Sequence, residues 1–444
     1  MTKRKSRSRS RSKSAKSRTT KSKKSMGTQI LAIVVAVVVT LAGGYYYLTG
    51  ADPLGLFDPE ETTPVAIVTP AVTLPVPPAP PTPTTSTQEQ ETKPGRDDWW
   101  QVYFTNPQAT SNMSNEEPEL AGSIPEKLIG LINAANTTIH IASFEFNLTP
   151  VAEALIAAHE RGVEVQWVTD DEHGIEADEE EDHGQFEMLE DAGIEVRDDG
   201  RSALMHNKFW IFDDQMVWTG STNITYNGTF LNNNNVIVLH SPELARIYER
   251  EFQEMWSGEF GPRSPSTVDD QQLTIDETPI QILFAAEDEA VEHLAPLIEG
   301  ATESIRVMAF SFTHDTLGKA VLARAYEGLD VMGIFETRGS ETEYSELTVL
   351  FCADVPVRQD GNPRTFHHKV IVIDGETVVT GSLNFSNNAD SSNDENVVII
   401  QNRAIAARYL EEFDRRWQEA HDPDPNDLEC GYADRLIAEL DLGE

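Results

Sequence analysis

Two stretches of the chain repeat one succession of apolar and polar positions. In the first, residues 137–146 form a strand-type run, residues 149–162 read as a helix closed by a glycine, and residues 163–168 are a second strand-type run. Residues 303–312, 315–328 and 329–335 repeat this order. The pattern predicts a βαβ unit in each copy, its two strands parallel and joined by a right-handed crossover. Further along, each copy adds a pair of short strands, over 206–212 with 216–219 and over 367–373 with 377–380. An apolar strand follows (236–239; 397–400), then an amphipathic helix (242–256; 403–417). The predicted class is α/β, with two duplicated lobes over residues 97–265 and 266–422, each a mixed sheet flanked by helices.

The N-terminal quarter follows neither pattern. Residues 1–27 carry 12 Lys/Arg and no acid, alternating with Ser, and read as a disordered basic cytoplasmic tail. Residues 28–49 are uncharged and largely apolar, long enough for a transmembrane signal-anchor helix with Tyr45, Tyr46 and Tyr47 at the far interface. A cleaved signal peptide is the alternative. Residues 50–96 are rich in Pro and Thr and form a semi-rigid linker. Residues 423–444 are a C-terminal tail with a short helix expected over 433–442. Lys/Arg bias places the N-terminus in the cytoplasm and the body outside, extracellular or periplasmic, on a single-pass anchor.

Net charge changes the picture of possible partners. The chain is at −40, but 12 of its 34 basic residues lie in the tail, leaving 22 against 74 acidic residues in the rest. So acidic a body argues against a long polyanion as ligand. The acidic runs at 170–172 and 176–182 fit no calcium loop and read as solvated. His173, His183, His240 and His314 have no ligand spacing, and Trp99, Trp100, Phe144 and Phe146 read as core. Cys352 and Cys430 are free to pair in an oxidising compartment, but sequence does not supply their distance.

The chemistry lies in the strand pairs. The first reads His206-Asn207-Lys208, four residues, Asp213, six residues, Gly220-Ser221-Thr222-Asn223; the second reads His367-His368-Lys369, four residues, Asp374, six residues, Gly381-Ser382-Leu383-Asn384. Side chains at i and i+2 of a strand share a face, so each copy presents a histidine beside a fixed cation. The Gly-Ser-x-Asn segment offers hydroxyl, amide and backbone N–H groups to phosphate oxygens.

In both copies these residues match H-x-K-x4-D-x6-G-S-x-N, and over residues 100–420 the chain resembles the phospholipase D superfamily. The resemblance implies a phosphodiesterase in which both histidines meet at the lobe interface. One attacks phosphorus to give a phosphohistidine, and the other protonates the leaving alcohol and then activates water. By the same resemblance His206 is the nucleophile and His367 the general acid/base, an order open to reversal. Lys208, Lys369, Asn223 and Asn384 would hold the non-bridging oxygens, Ser221 and Ser382 would bind phosphate, and Asp213 and Asp374 would support the hairpin turns. Neither metal nor cofactor is expected. Glu395 stands where the family places a partner for a catalytic histidine, whereas the same offset in the first copy falls on Asn234-Asn235. A phospholipid at the membrane surface is the expected substrate of a monomeric active unit, with nucleic acid cleaved by an exported endonuclease as the alternative and a non-catalytic scaffold as the weakest reading.

Overall fold

The computed structural model describes residues 99–107, 120–180 and 183–431. The expected tail, anchor and linker, and the helix expected over 433–442, lie outside the described residues. Among the described residues, no helix is long and apolar enough to cross a membrane.

The first half runs β1 (Trp100–Phe104), α1 (Ile124–Ala134), β2 (Thr138–Ser143), α2 (Thr149–Glu160), β3 (Glu164–Thr169), α3 (Gln185–Asp191), β4 (Glu195–Asp198), β5 (Lys208–Phe212), β6 (Met216–Gly220), β7 (Asn235–His240) and α4 (Pro242–Trp256). Its sheet has the order β1-β7-β6-β5-β2-β3-β4. The second half runs β8 (Gln272–Ile275), β9 (Thr278–Ala285), α5 (Ala290–Glu299), β10 (Ser304–Ala309), α6 (Asp315–Tyr326), β11 (Asp330–Phe335), α7 (Glu346–Cys352), β12 (Val357–Gln359), β13 (Lys369–Ile373), β14 (Thr377–Gly381), α8 (Asn387–Ser391), β15 (Glu395–Gln401) and α9 (Arg403–Glu419). Its order is β12-β11-β10-β13-β14-β15-β9-β8. Each sheet is mixed. The βαβ strands β2 and β3, and β10 and β11, pair in parallel, and the strands that carry the motif pair antiparallel.

The motif strands are apolar without alternation because both faces of each sheet are covered. Phe209 and Ile211 of β5, with Val370 and Val372 of β13, enter a core shared by the two sheets. Trp210 and Phe212 enter the outer core of the first half, and Ile371 and Ile373 that of the second. Tyr248 and Phe252 of α4, with Tyr409 and Phe413 of α9, complete the shared core. Both helices start at side-chain caps, Ser241 accepting from Leu244 N–H and Asn402 from Ala404 and Ile405 N–H. The shared core makes one rigid seam of the two halves, and the motif strands end on it.

Asp213 and Asp374 tie the hairpins to the βαβ units. Asp213 accepts backbone N–H groups from Asn136, Thr137 and Thr138, and Asp374 accepts those of Thr302, Glu303 and Ser304. Burial works to raise each carboxyl, but these donations outweigh it and hold both below the usual carboxylate range. Cys352, at the end of α7, and Cys430 form a disulfide with a Cα–Cα distance of 5.6 Å, closing 78 residues of the second half.

Candidate active site

Neither histidine lies within its strand. β5 begins at Lys208 and β13 at Lys369, and the residues before them cross to the opposite half. Met205 bridges to Asp394 and His206 N–H donates to Asp394 O at 2.9 Å; Phe366 bridges to Asn233 and His367 N–H donates to Asn233 O at 2.9 Å. Each histidine is therefore positioned by the lobe that does not contain it.

The side chains repeat the exchange. His206 Nδ1 lies 2.7 Å from Glu395 Oε2, at the start of β15 in the second half. His367 Nδ1 donates to Asn234 Oδ1 at 2.9 Å and to Ser221 O at 3.0 Å, both in the first half. The orientation of Asn234 is fixed, because its Nδ2 donates to Gly228 O and its Oδ1 accepts from Ser221 Oγ. Two acceptors at Nδ1 of His367 leave Nε2 as its free nitrogen.

Behind the histidines the residues between His and Lys lock the seam. Asn396 Nδ2 donates to Asn207 Oδ1 at 2.9 Å, and Asn235 Nδ2 lies 3.1 Å from His368 Nδ1. Thr219 and Tyr248 reach Asn396 Oδ1, while Thr380 and Tyr409 reach Asn235 Oδ1. The glycines opening Gly-Ser-x-Asn permit this approach: a Cβ on Gly220 would lie 2.3 Å from Asn235 O, and one on Gly381 2.1 Å from Asn396 O.

The serines expected at the phosphate belong to this backing layer, which corrects the sequence reading. Ser221 Oγ donates to Asn234 and accepts from Asn235 N–H, and Ser382 Oγ accepts from Asn396 N–H and bonds the Glu395 carboxyl. Both are fully buried. Their order along the chain does not reveal that the hydroxyls serve the partners of the histidines.

Lys208 and Lys369 are buried beside the histidines, each donating from Nζ to the carbonyl of the histidine two residues before it, at 2.8 and 3.1 Å. Burial, then the charge of the other lysine, drives Lys369 well below its usual range, and burial lowers Lys208 to about 8. Burial also lowers both histidines well below their usual value, and both lysines act on each of them. The two half-sites thus share one electrostatic environment. Burial outweighs Lys208 and pushes Glu395 up to about 8.

Phe144, expected in the core, packs its ring 4.8 Å from that of His206 with Lys208 Nζ 4.9 Å away; Phe310 holds the same place by His367 and Lys369. Phe146 is core, against Trp167 and Phe186. The sequence reading of 170–172 as solvated is corrected at Asp170, which is buried and accepts Met205 and His173 N–H groups. Its counterpart Glu336 accepts Phe366 N–H. An acid directly after the second strand of the βαβ unit in both copies is the signal that could have revealed them. Asp170, Asp171 and Asp199 are close enough together to share a cation. Within the protein Asp199 accepts from Arg201 and from Asp171 N–H, so this grouping already has partners.

The family described as cardiolipin synthase, PLD-like domain, matches residues 128–256 and 294–417, one match in each half. The mitochondrial cardiolipin hydrolase of Xenopus tropicalis is 37% identical over 136 residues, covering 31% of this chain and 64% of that protein. A phospholipase D of Rickettsia prowazekii is 34% identical over 116 residues, covering 26% of this chain and 57% of the relative. The chain therefore spans less than two thirds of the length of these relatives. The solved phosphatidylserine synthase of Haemophilus influenzae shares the fold, at 15% identity and a TM-score of 0.54 over 73% of this chain and 92% of that one. With the family matched in both halves and its motif complete at each lysine strand, the chain belongs to the phospholipase D superfamily.

Proposed function

We propose that the protein hydrolyses phospholipid phosphodiester bonds through a covalent phosphohistidine. The observation that carries this reading is the pair of histidines, each held at Nδ1 by the opposite half and each beside a buried lysine. His206 Nε2 attacks phosphorus while Glu395, its carboxyl pushed up to about 8 by burial, holds Nδ1 and fixes the ring. The P–O bond to the leaving alcohol breaks, and that oxygen takes a proton from His367 Nε2. His367 then accepts a proton from water as the water oxygen attacks phosphorus, releasing phosphatidate and restoring His206. Lys208, Lys369, Asn223 and Asn384 stabilise charge on the non-bridging oxygens. An amide behind His367 supports its role as acid, because no carboxylate stabilises its protonated form.

The disulfide supports an oxidising compartment for the body, as the proposed single-pass anchor with its catalytic body outside requires. In EDTA, the full-length protein is expected to cleave phospholipid vesicles, with activity lost in both His206→Ala and His367→Ala. Cleavage of DNA without cleavage of lipid would replace this reading with the endonuclease one.

A further inference from the structure

The two half-sites differ at one position that faces the phosphate-binding asparagines. Glu145 lies just beyond β2, between Phe144 and Phe146, and its Oε2 accepts from Asn223 Nδ2 at 2.7 Å. Its charge also reaches Lys208. Ser311, between Phe310 and Phe312, stands there in the second half. The backbone fixes the correspondence, since Phe146 pairs with Ile224 and Phe312 pairs with Phe385, each the residue following its motif asparagine. Asn223 and Asn384 each keep a buried Oδ1 without a hydrogen-bond partner, so the half-sites differ at Glu145 and not at these oxygens.

Lys208 thus shares its half-site with a carboxylate and an occupied asparagine amide, whereas Lys369 has a serine there. Three residues beyond β3 stands Glu172, and three beyond β11 stands Arg338, which pairs with Glu336 and donates to Arg364 O and Thr365 Oγ1 just before His367. A second anion near Glu145 would meet a like charge in a partly desolvated place, while an ammonium or hydroxyl there would find an acceptor.

Resting on the phospholipid reading above, we propose that Glu145 is a specificity-determining residue. It selects phosphodiesters with an ammonium or hydroxyl donor within a few atoms of phosphorus and disfavours those with a second phosphate there.

The test compares kcat/KM of the full-length protein and of Glu145→Gln and Glu145→Ser on micelles carrying phosphatidylethanolamine, phosphatidylglycerol or cardiolipin. Thermal melting checks that each variant folds, and Gln keeps a side-chain oxygen for Asn223. The wild type is expected to favour the first two lipids. Each substitution is expected to lower their kcat/KM about tenfold and to raise that of cardiolipin, so that the preference collapses. The lipid losing more identifies the donor as ammonium or hydroxyl. Equal changes on all three, as a merely structural role would give, or an unchanged ratio, overturn the role of Glu145 and leave the phospholipid reading standing. A wild type that cleaves none of the three overturns both.

Discussion

The His206 and His367 half-sites share a backbone but not the side chains that surround it. In one, the imidazole is backed by the Glu395 carboxyl and the approach carries a second carboxylate, Glu145; in the other, the backing groups are the Asn234 amide and a carbonyl, and Ser311 replaces the acid. A symmetric scaffold has thus been given asymmetric chemistry by changing single side chains. An ester cleavage in two steps needs one histidine that holds a phosphoryl group and one that gives up a proton readily. In the proposed mechanism, the difference in backing would supply that division of labour without disturbing the seam.

Replacing either histidine is expected to lower kcat by about 10⁴ or more, but in different ways. His206→Ala abolishes a phosphoenzyme trapped by rapid alkaline quench, in which the P–N bond survives. His367→Ala still forms it from a diester with a p-nitrophenyl leaving group, which needs no protonation. Phosphoenzyme retained in His206→Ala would reverse the assignment.

The disulfide separates the halves in stability, since it ties α7 of the second half to the segment that follows α9. Cys352→Ser is expected to cost about 4 kcal/mol, the loop-closure scale for a loop of this length, read as a fall in the denaturation midpoint. Glu395→Gln makes the first half-site resemble the second, and a fall of about 10²-fold in kcat is expected with little change in KM. Lys208 and Glu395 both lose a proton above a pH of about 8, so in Glu395→Gln, where the lysine titrates without the acid, kcat/KM is expected to decline there, well before an ordinary lysine titrates. An activity flat to pH 10 would refute the role of its charge. The smallest effect concerns the turns, where Asp213→Asn or Asp374→Asn is expected to cost about 1–2 kcal/mol at neutral pH. Both carboxyls are held low in the folded state, so their stabilisation is present above the ordinary carboxylate value and lost as pH falls through the folded one. The gap between variant and wild type in a urea titration should therefore close in acid.

Much of this was legible in local pattern. The amphipathic helix expected over 242–256 is α4, Pro242–Trp256, because a capping serine, a first-turn proline and an apolar stripe define it locally. Its counterpart α9 runs to Glu419, two residues beyond the expectation, and Arg416 in its last turn pairs with Glu412 and Glu419. The buried roles of Ser221 and Ser382 were not legible, because short polar side chains read as solvated or ligand-binding until their partners are known, whereas Asp170 had a signal in the acid that follows β3 and β11 alike.

The sequence alone determined the duplication, the βαβ order and the two motifs, since these depend on periodicity and spacing that each copy carries within itself. Only the tertiary structure decided which group backs which histidine. Glu395 follows His367 in the chain yet holds His206, because each histidine crosses the seam before its strand begins and the seam is set by packing of the shared core. The pairing of Cys352 with Cys430 and the meeting of Glu145 with Asn223 are decided in the same way, by distances that folding creates between residues remote in sequence.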